Sequence, residues 1–148
     1  MQLNYMNKKY AIYPGSFDPW HKGHMEILKK ALKIFDAIFI IVSINPDKTN
    51  QSDILERYND VKDKVKSLTN VKVLINKNGF IADIAKELNV NFIIRSARNN
   101  TDFNYELELA AGNKTLNNEL ETILIMPNYE DINYSSTLER HKEKLKNV

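Results

Sequence analysis

The chain has 148 residues, enough to close one core of ordinary size without a disulfide or a structural metal. It contains no cysteine, which excludes a disulfide framework, thiolate zinc sites and thiol catalysis. Lys and Arg number 21 against 19 Asp and Glu, a formal charge of +2; this is too balanced for broad binding along a nucleic-acid backbone, so any anion site has to be local. Residues 1–7 are expected to form a flexible N-terminal extension and 8–148 a single domain. The longest apolar run, 37–42, falls far short of the ~20 residues of a membrane helix, and no basic-then-apolar leader opens the chain. The expectation is a soluble, cytoplasmic protein with neither a membrane nor a nucleic acid as partner.

Tyr10-Ala11-Ile12-Tyr13 reads as a first strand, and His24 to Phe35 as a helix with Leu28, Ala31, Leu32 and Phe35 on one side. Ala37 to Ser43 is apolar on both faces, the pattern of a strand in a parallel sheet covered by helices, and is expected to be central. Asp53-x-x-Glu56 offers a capping box for a second helix, with Ile54, Tyr58, Val61, Val65 and Leu68 at three- and four-residue steps. A strand at Val71 to Ile75, a helix at Ile81 to Leu88, a strand at Phe92 to Ile94 and a helix at Asp102 to Leu116 follow. Glu121 to Met126 is the fifth strand, and Ser136-x-x-Glu139 caps a last, highly charged helix. This alternation predicts an α/β fold, a doubly wound, Rossmann-like, five-stranded parallel sheet with right-handed crossovers. Ligands in such sheets sit beyond the carboxyl ends of the strands, near the switch in strand order.

The loop after the first strand is the richest in chemistry. It reads Tyr13-Pro14-Gly15-Ser16-Phe17-Asp18-Pro19-Trp20-His21-Lys22-Gly23-His24 and runs into a helix N-terminus, whose free N–H groups and positive dipole end favour phosphate. Gly15 is read as permitting a tight turn, Gly23 as letting backbone approach a ligand, and Ser16 as a small donor. From residue types alone, His21 and His24 could be ordinary surface histidines, or metal ligands at helical spacing, a reading disfavoured by the lack of Cys and of a third ligand nearby.

The segment Gly15-Ser16-Phe17-Asp18-Pro19 followed by His21-x-Gly23-His24 resembles the signature of the HxGH nucleotidyltransferases. Ile94-Arg95-Ser96-Ala97-Arg98, the run Asp102 to Ala110 followed by Asn113, and Tyr134-Ser135-Ser136-Thr137-Leu138-Glu139-Arg140 extend the likeness to the bacterial phosphopantetheine adenylyltransferases. That resemblance implies a nucleotidyltransferase domain over 8–148 and adenylyl transfer from ATP to 4′-phosphopantetheine, a step of coenzyme A synthesis. It implies catalytic roles for His24, Lys48 and Arg95. ATP would be bound by Ser16, Phe17, His24, Ser96, Ala97, Arg98, Glu106, Asp131, Tyr134, Ser135, Ser136 and Thr137. The acceptor would be bound by Ser16, Lys48, Ile81 and Arg95. Magnesium is expected to arrive with ATP, with no protein-only metal site, and the family's assembly is a homo-oligomer, commonly a hexamer.

The chain departs from the family pattern at His21 and Ser96, follows its helix-opening pattern only in part at Ser52-Asp53-Ile54-Leu55-Glu56-Arg57, and has a shorter C-terminal stretch. His21 stands where threonine is common and is shared with relatives that adenylylate nicotinate mononucleotide, which makes that activity the alternative. Ser96 replaces a glycine, so a positive φ there would strain it and favour a non-catalytic nucleotide-binding module. A flavodoxin-like electron carrier shares the general architecture but gives the His pair no purpose.

Overall fold

Strands and helices alternate as the hydrophobic periods predict: β1 (Tyr10–Gly15), α1 (Lys22–Ala31), β2 (Ala37–Ser43), α2 (Ile54–Lys64), β3 (Val71–Asn76), α3 (Ile81–Leu88), β4 (Phe92–Arg95), α4 (Asn100–Leu116) and β5 (Glu121–Leu124). The computed structural model describes residues 7–45, 49–128, 130, 132 and 144–146. The five strands form one sheet in the order β3-β2-β1-β4-β5, and every pairing is parallel. β1 takes the middle, and β2, expected to be central, is the interior strand beside it. The chain winds outward from β1 through β2 and β3, then returns to the other side of β1 for β4 and β5. The switch in direction falls between β1 and β4, where the outgoing loops part and leave a crevice.

Each face of the sheet is covered by its own apolar cluster. On one, Ala11, Tyr13, Ile38, Ile40 and Val42 meet Ile27, Leu28 and Ala31 of α1 and Val61 of α2. On the other, Ile12, Ile41 and Ile93 meet Ala82 and Ala85 of α3, with Val90 and Leu120. Alternate residues of one strand therefore serve two cores, which is why β2 reads as apolar throughout. A fully buried side chain such as Leu28 is worth about 1.5–3 kcal/mol relative to exposure.

The element ends carry the differences from expectation. Helix α1 stops at Ala31, although Phe35 beyond it is buried and its N–H still reaches the Ala31 carbonyl in a turn. Val65 and Leu68 likewise pack against the core after α2 has ended. The capping box expected at Asp53 does not form, since its side chain makes no cap bond; the entry to α2 is held instead at Ser52, whose N–H donates to Asp18 and whose carbonyl accepts from Arg57. Helix α4 starts at Asn100, two positions before expectation, because Asn99 is the N-cap and accepts the Asp102 N–H at 2.9 Å. Helix α3 ends at Asn89, which takes the left-handed conformation (φ 55°) that asparagine tolerates. Strand β5 stops at Leu124, with one further bond from the Ile125 N–H to the Arg95 carbonyl. The Ser136 cap lies outside the described residues, of which 144–146 are helical. Among the described residues no helix is long and apolar enough to cross a membrane.

Candidate active site

The loop from β1 to α1 is built around aromatic packing. Gly15 has no positive φ, so the turn expected of it is not its role; a Cβ there would stand 2.8 Å from Cζ of Phe17, and the glycine makes room for that ring. Phe17 itself adopts φ 49°, a left-handed conformation that costs a non-glycine residue about 1–2 kcal/mol. Its ring is 3 % exposed and packs against Tyr13, Trp20 and, edge-on at 5.0 Å, His24. Strain in the backbone is thus held by tight packing of the ring.

The two histidines cap α1. His21 is the N-cap, and its Nδ1 accepts the Gly23 N–H at 3.0 Å. In return the His24 Nδ1 accepts the His21 N–H at 3.1 Å, a capping box made of two imidazoles whose rings stack with centroids 3.8 Å apart. A Cβ on Gly23 would lie 2.9 Å from Cε1 of His21, so this glycine seats the capping ring, and it also lines the cavity described below. Threonine is itself a good N-cap, so the departure at His21 keeps the same local job. A neutral imidazole whose Nδ1 accepts an N–H carries its proton on Nε2. Burial, with the neighbouring His21 adding to it, lowers the His24 pKa to about 4. At neutral pH His24 is therefore an uncharged ring, clamped on one side and presenting an Nε2–H donor on the other.

Across the crevice, β4 ends in Arg95. Its Nε and Nη2 donate to the two carboxylate oxygens of Glu106 at 2.7 Å each, and its Nη1 donates to the Pro14 carbonyl at 3.0 Å. Glu106 is 5 % exposed on α4. Burial opposes the guanidinium charge, but the hydrogen bonds and charge of Glu106 outweigh it and raise the Arg95 pKa. Burial also pushes the Tyr13 phenol well above its usual range, against the pull of Arg95. The resemblance gave Arg95 to the acceptor and Glu106 to the nucleotide; the structure joins them as one ion pair.

A cavity of about 1180 Å³ opens here, larger than the ~300–1,000 Å³ typical of a site for one small ligand. Ser16, Phe17, His24, Ile81, Arg95, Ser96, Arg98 and Glu106 all line it. Ala97 lies in the same loop and does not. Lys48, Asp131, Tyr134, Ser135, Ser136 and Thr137 lie outside the described residues. Ser96 is not among the residues with positive φ, so the strain expected from its side chain is not present. Arg98 sits at the rim, paired with Asp102 at 3.1 Å. The loop after β3 also reaches the crevice, as its place at the carboxyl end of a strand implies. There the Asn76 side chain bonds both backbone groups of Gly79, at 2.8 and 2.9 Å, and folds Asn78 and Phe80 into the cavity wall. An Asn three residues before a Gly was the available signal for that turn. Among the described residues no group of three or more His, Asp or Glu side chains is arranged to hold a metal.

The doubly wound sheet, the HxGH turn and the crevice between β1 and β4 define a nucleotidyltransferase, and the chain belongs to the family described as Cytidylyltransferase-like, whose model matches residues 12–142. It is 43% identical over 135 residues to a phosphopantetheine adenylyltransferase of Mycoplasma capricolum, covering 91% of this chain and 96% of that one. Another, of Campylobacter jejuni subsp. jejuni, is 38% identical over 130 residues, 88% of this chain and 82% of the relative. Within the family, then, this chain is one of the phosphopantetheine adenylyltransferases. A bifunctional NMN adenylyltransferase/ADP ribose pyrophosphatase from Francisella tularensis superposes with a TM-score of 0.55 at 18% identity, over 92% of this chain and 42% of that one, a likeness of fold alone.

Proposed function

We propose that the chain transfers the adenylyl group of ATP to 4′-phosphopantetheine, giving dephospho-CoA and pyrophosphate, in the cavity between β1 and β4. The observation that carries this reading is His24: a neutral ring, locked through Nδ1, faces that cavity from the turn that resembles the HxGH signature. Of the two features that favoured nicotinate mononucleotide, His21 caps α1, as a threonine would, and the run Ser135-Ser136-Thr137 lies outside the described residues.

The chemistry asks for electrostatics and alignment. A phosphate monoester oxygen of the acceptor, ionised near neutral pH, attacks the α-phosphorus of ATP; the new O–P bond forms as the bond to the β-phosphate oxygen breaks, and pyrophosphate leaves with that electron pair. No proton has to move in this step. Two polyanions must be held in line and the charge on the α-phosphoryl oxygens met by aimed donors. We assign the Nε2–H of His24 to those oxygens and Ser16 to the junction of the two substrates. Arg95, its charge fixed by Glu106, supplies positive potential on the acceptor side, where Ile81 offers an apolar contact. Ser96, Ala97 and Arg98 are assigned to the nucleotide, as is Glu106, whose more direct task is holding Arg95. Lys48 is assigned to the phosphates, and Asp131, Tyr134, Ser135, Ser136 and Thr137 to the ATP phosphates, on the resemblance alone.

Magnesium would arrive with ATP, held by its phosphates rather than by residues of this chain, and would supply shielding of their charge. On the same resemblance, 8–148 acts as one domain, the enzyme works in the cytoplasm, and it assembles as a homo-oligomer, commonly a hexamer; exposed Phe103, Leu107 and Leu116 on α4 are consistent with contact between copies.

The test is pyrophosphate release from ATP and Mg²⁺, with 4′-phosphopantetheine and nicotinate mononucleotide offered separately. Release is expected with phosphopantetheine alone, and His24→Ala should lose at least the ~10²–10³ in kcat that one aimed donor is worth while unfolding cooperatively like the wild type. Release only with nicotinate mononucleotide, or unchanged turnover in the variant, would overturn the assignment.

A further inference from the structure

We propose that Arg57, which does not line the cavity, is a positioning residue for the transfer: it clamps the Ser16–Phe17 peptide to the end of β2 and thereby fixes the loop that seats His24. The inference rests on the proposed reaction for its kinetic part only. Arg57 lies in the first turn of α2, yet its side chain is 4 % exposed and turns back under the β1 loop. Its Nη1 donates to the Ser16 carbonyl at 2.6 Å and to the Ser43 carbonyl at 2.8 Å, and its Nε to the Ser52 carbonyl at 3.1 Å. One guanidinium thus joins three segments: the loop after β1, the last residue of β2 and the entry to α2.

Among the described residues no carboxylate forms an ion pair with it. A buried guanidinium held, among the described residues, by carbonyls and no carboxylate is a poor filler, since an apolar side chain of similar volume would serve stability as well or better. Its geometry points to a different task. The Ser16 carbonyl belongs to the peptide that enters Phe17, and Phe17 holds the strained φ of 49°. Such a conformation persists only when its surroundings over-determine it. The shortest of the three Arg57 bonds is made to that peptide, and the Phe17 ring it orients lies edge-on against His24. The planar fork of arginine can hold several carbonyls at fixed angles; the single ammonium of lysine cannot.

The experiment compares wild type with Arg57→Lys and with Arg57→Gln, which removes the buried charge, keeps an N–H donor and is the variant expected to fold if the first does not. For each, kcat, both KM values, cooperative unfolding and the His24 titration in the free protein by NMR are measured. Expected are a fall in kcat of about 10²-fold, the scale of a small misplacement of reacting groups, KM values within about fivefold, and a His24 titration that climbs from about 4 toward 6.5 as the loosened loop admits water. A kcat within threefold of wild type would overturn the inference, and so would a fall in kcat with the His24 titration unmoved, the mark of a purely structural role. A wild type that released no pyrophosphate would count against the proposed reaction, while the His24 titration would still decide the part played by Arg57.

Discussion

The two walls of the crevice hold their donors by opposite means. On the β1 side, His24 is uncharged, fixed by a backbone N–H at its Nδ1 and by the rings of His21, Phe17 and Trp20. On the β4 side, Arg95 is charged, and all three of its nitrogens are engaged by Glu106 and the Pro14 carbonyl. A phosphate can take the Nε2–H of His24 without displacing anything among the described residues. At Arg95 it must either share the guanidinium with Glu106 or draw on its field from a short distance. Rigidity at the first donor costs packing and one strained residue; at the second it costs a buried carboxylate.

The sharpest way to break this comparison is Glu106→Ala. Removing one partner of a buried ion pair leaves an uncompensated charge and is expected to cost about 3–5 kcal/mol in stability, read by denaturant unfolding. A loss below about 1 kcal/mol would mean that Arg95 is held by something other than its counter-charge.

The next test concerns the uncharged donor. His24 has a folded pKa of about 4 against 6.5 when unfolded, so between those values the unfolded chain binds a proton that the folded chain does not. Its contribution is complete above pH 6.5 and is lost as pH falls toward 4, by about 1–2 kcal/mol after allowing for partial exposure of the ring. This should appear as the difference in unfolding free energy between wild type and His24→Gln across pH 4 to 7. In kcat/KM, the acid limb is expected near pH 6, where a phosphate monoester dianion takes up a proton, and not near 4.

The smallest effect is expected at the cap. His21→Ala should cost about 1 kcal/mol, whereas His21→Thr, which restores an ordinary N-cap, should stay within a few tenths of wild type in thermal unfolding. Equal losses for the two would show that the stacked ring, and not the cap bond, steadies His24.

Much of this was legible from residue order. β2 and α3 run over the predicted residues because a two-sided apolar run and a strong helical period are each complete within one element. The end of α1 was not, since Phe35 is buried whether helix or turn carries it, and periodicity reports burial rather than hydrogen bonding. His24, Arg95 and Glu106 could be assigned to one cavity from their motifs. That Arg95 and Glu106 face each other depends on how β4 and α4 pack. That Arg57 grips Ser16 depends on a contact spanning 41 positions, between residues that no local pattern connects. The rings that Gly15 and Gly23 make room for, Phe17 and His21, could not be read from order either, because a ring's direction is a tertiary fact.

The imidazole capping box changes where α1 presents its positive end. A bare helix start offers its first N–H groups to an anion directly, but here the His21 and Gly23 amides already donate to ring nitrogens. The His24 ring passes that polarity on: a donor at Nδ1 draws electron density through the imidazole and makes the Nε2–H more acidic toward an oxyanion. The helix thus acts one ring's width beyond its own backbone, through a group that can be aimed by χ angles and replaced by a single substitution, as amides cannot.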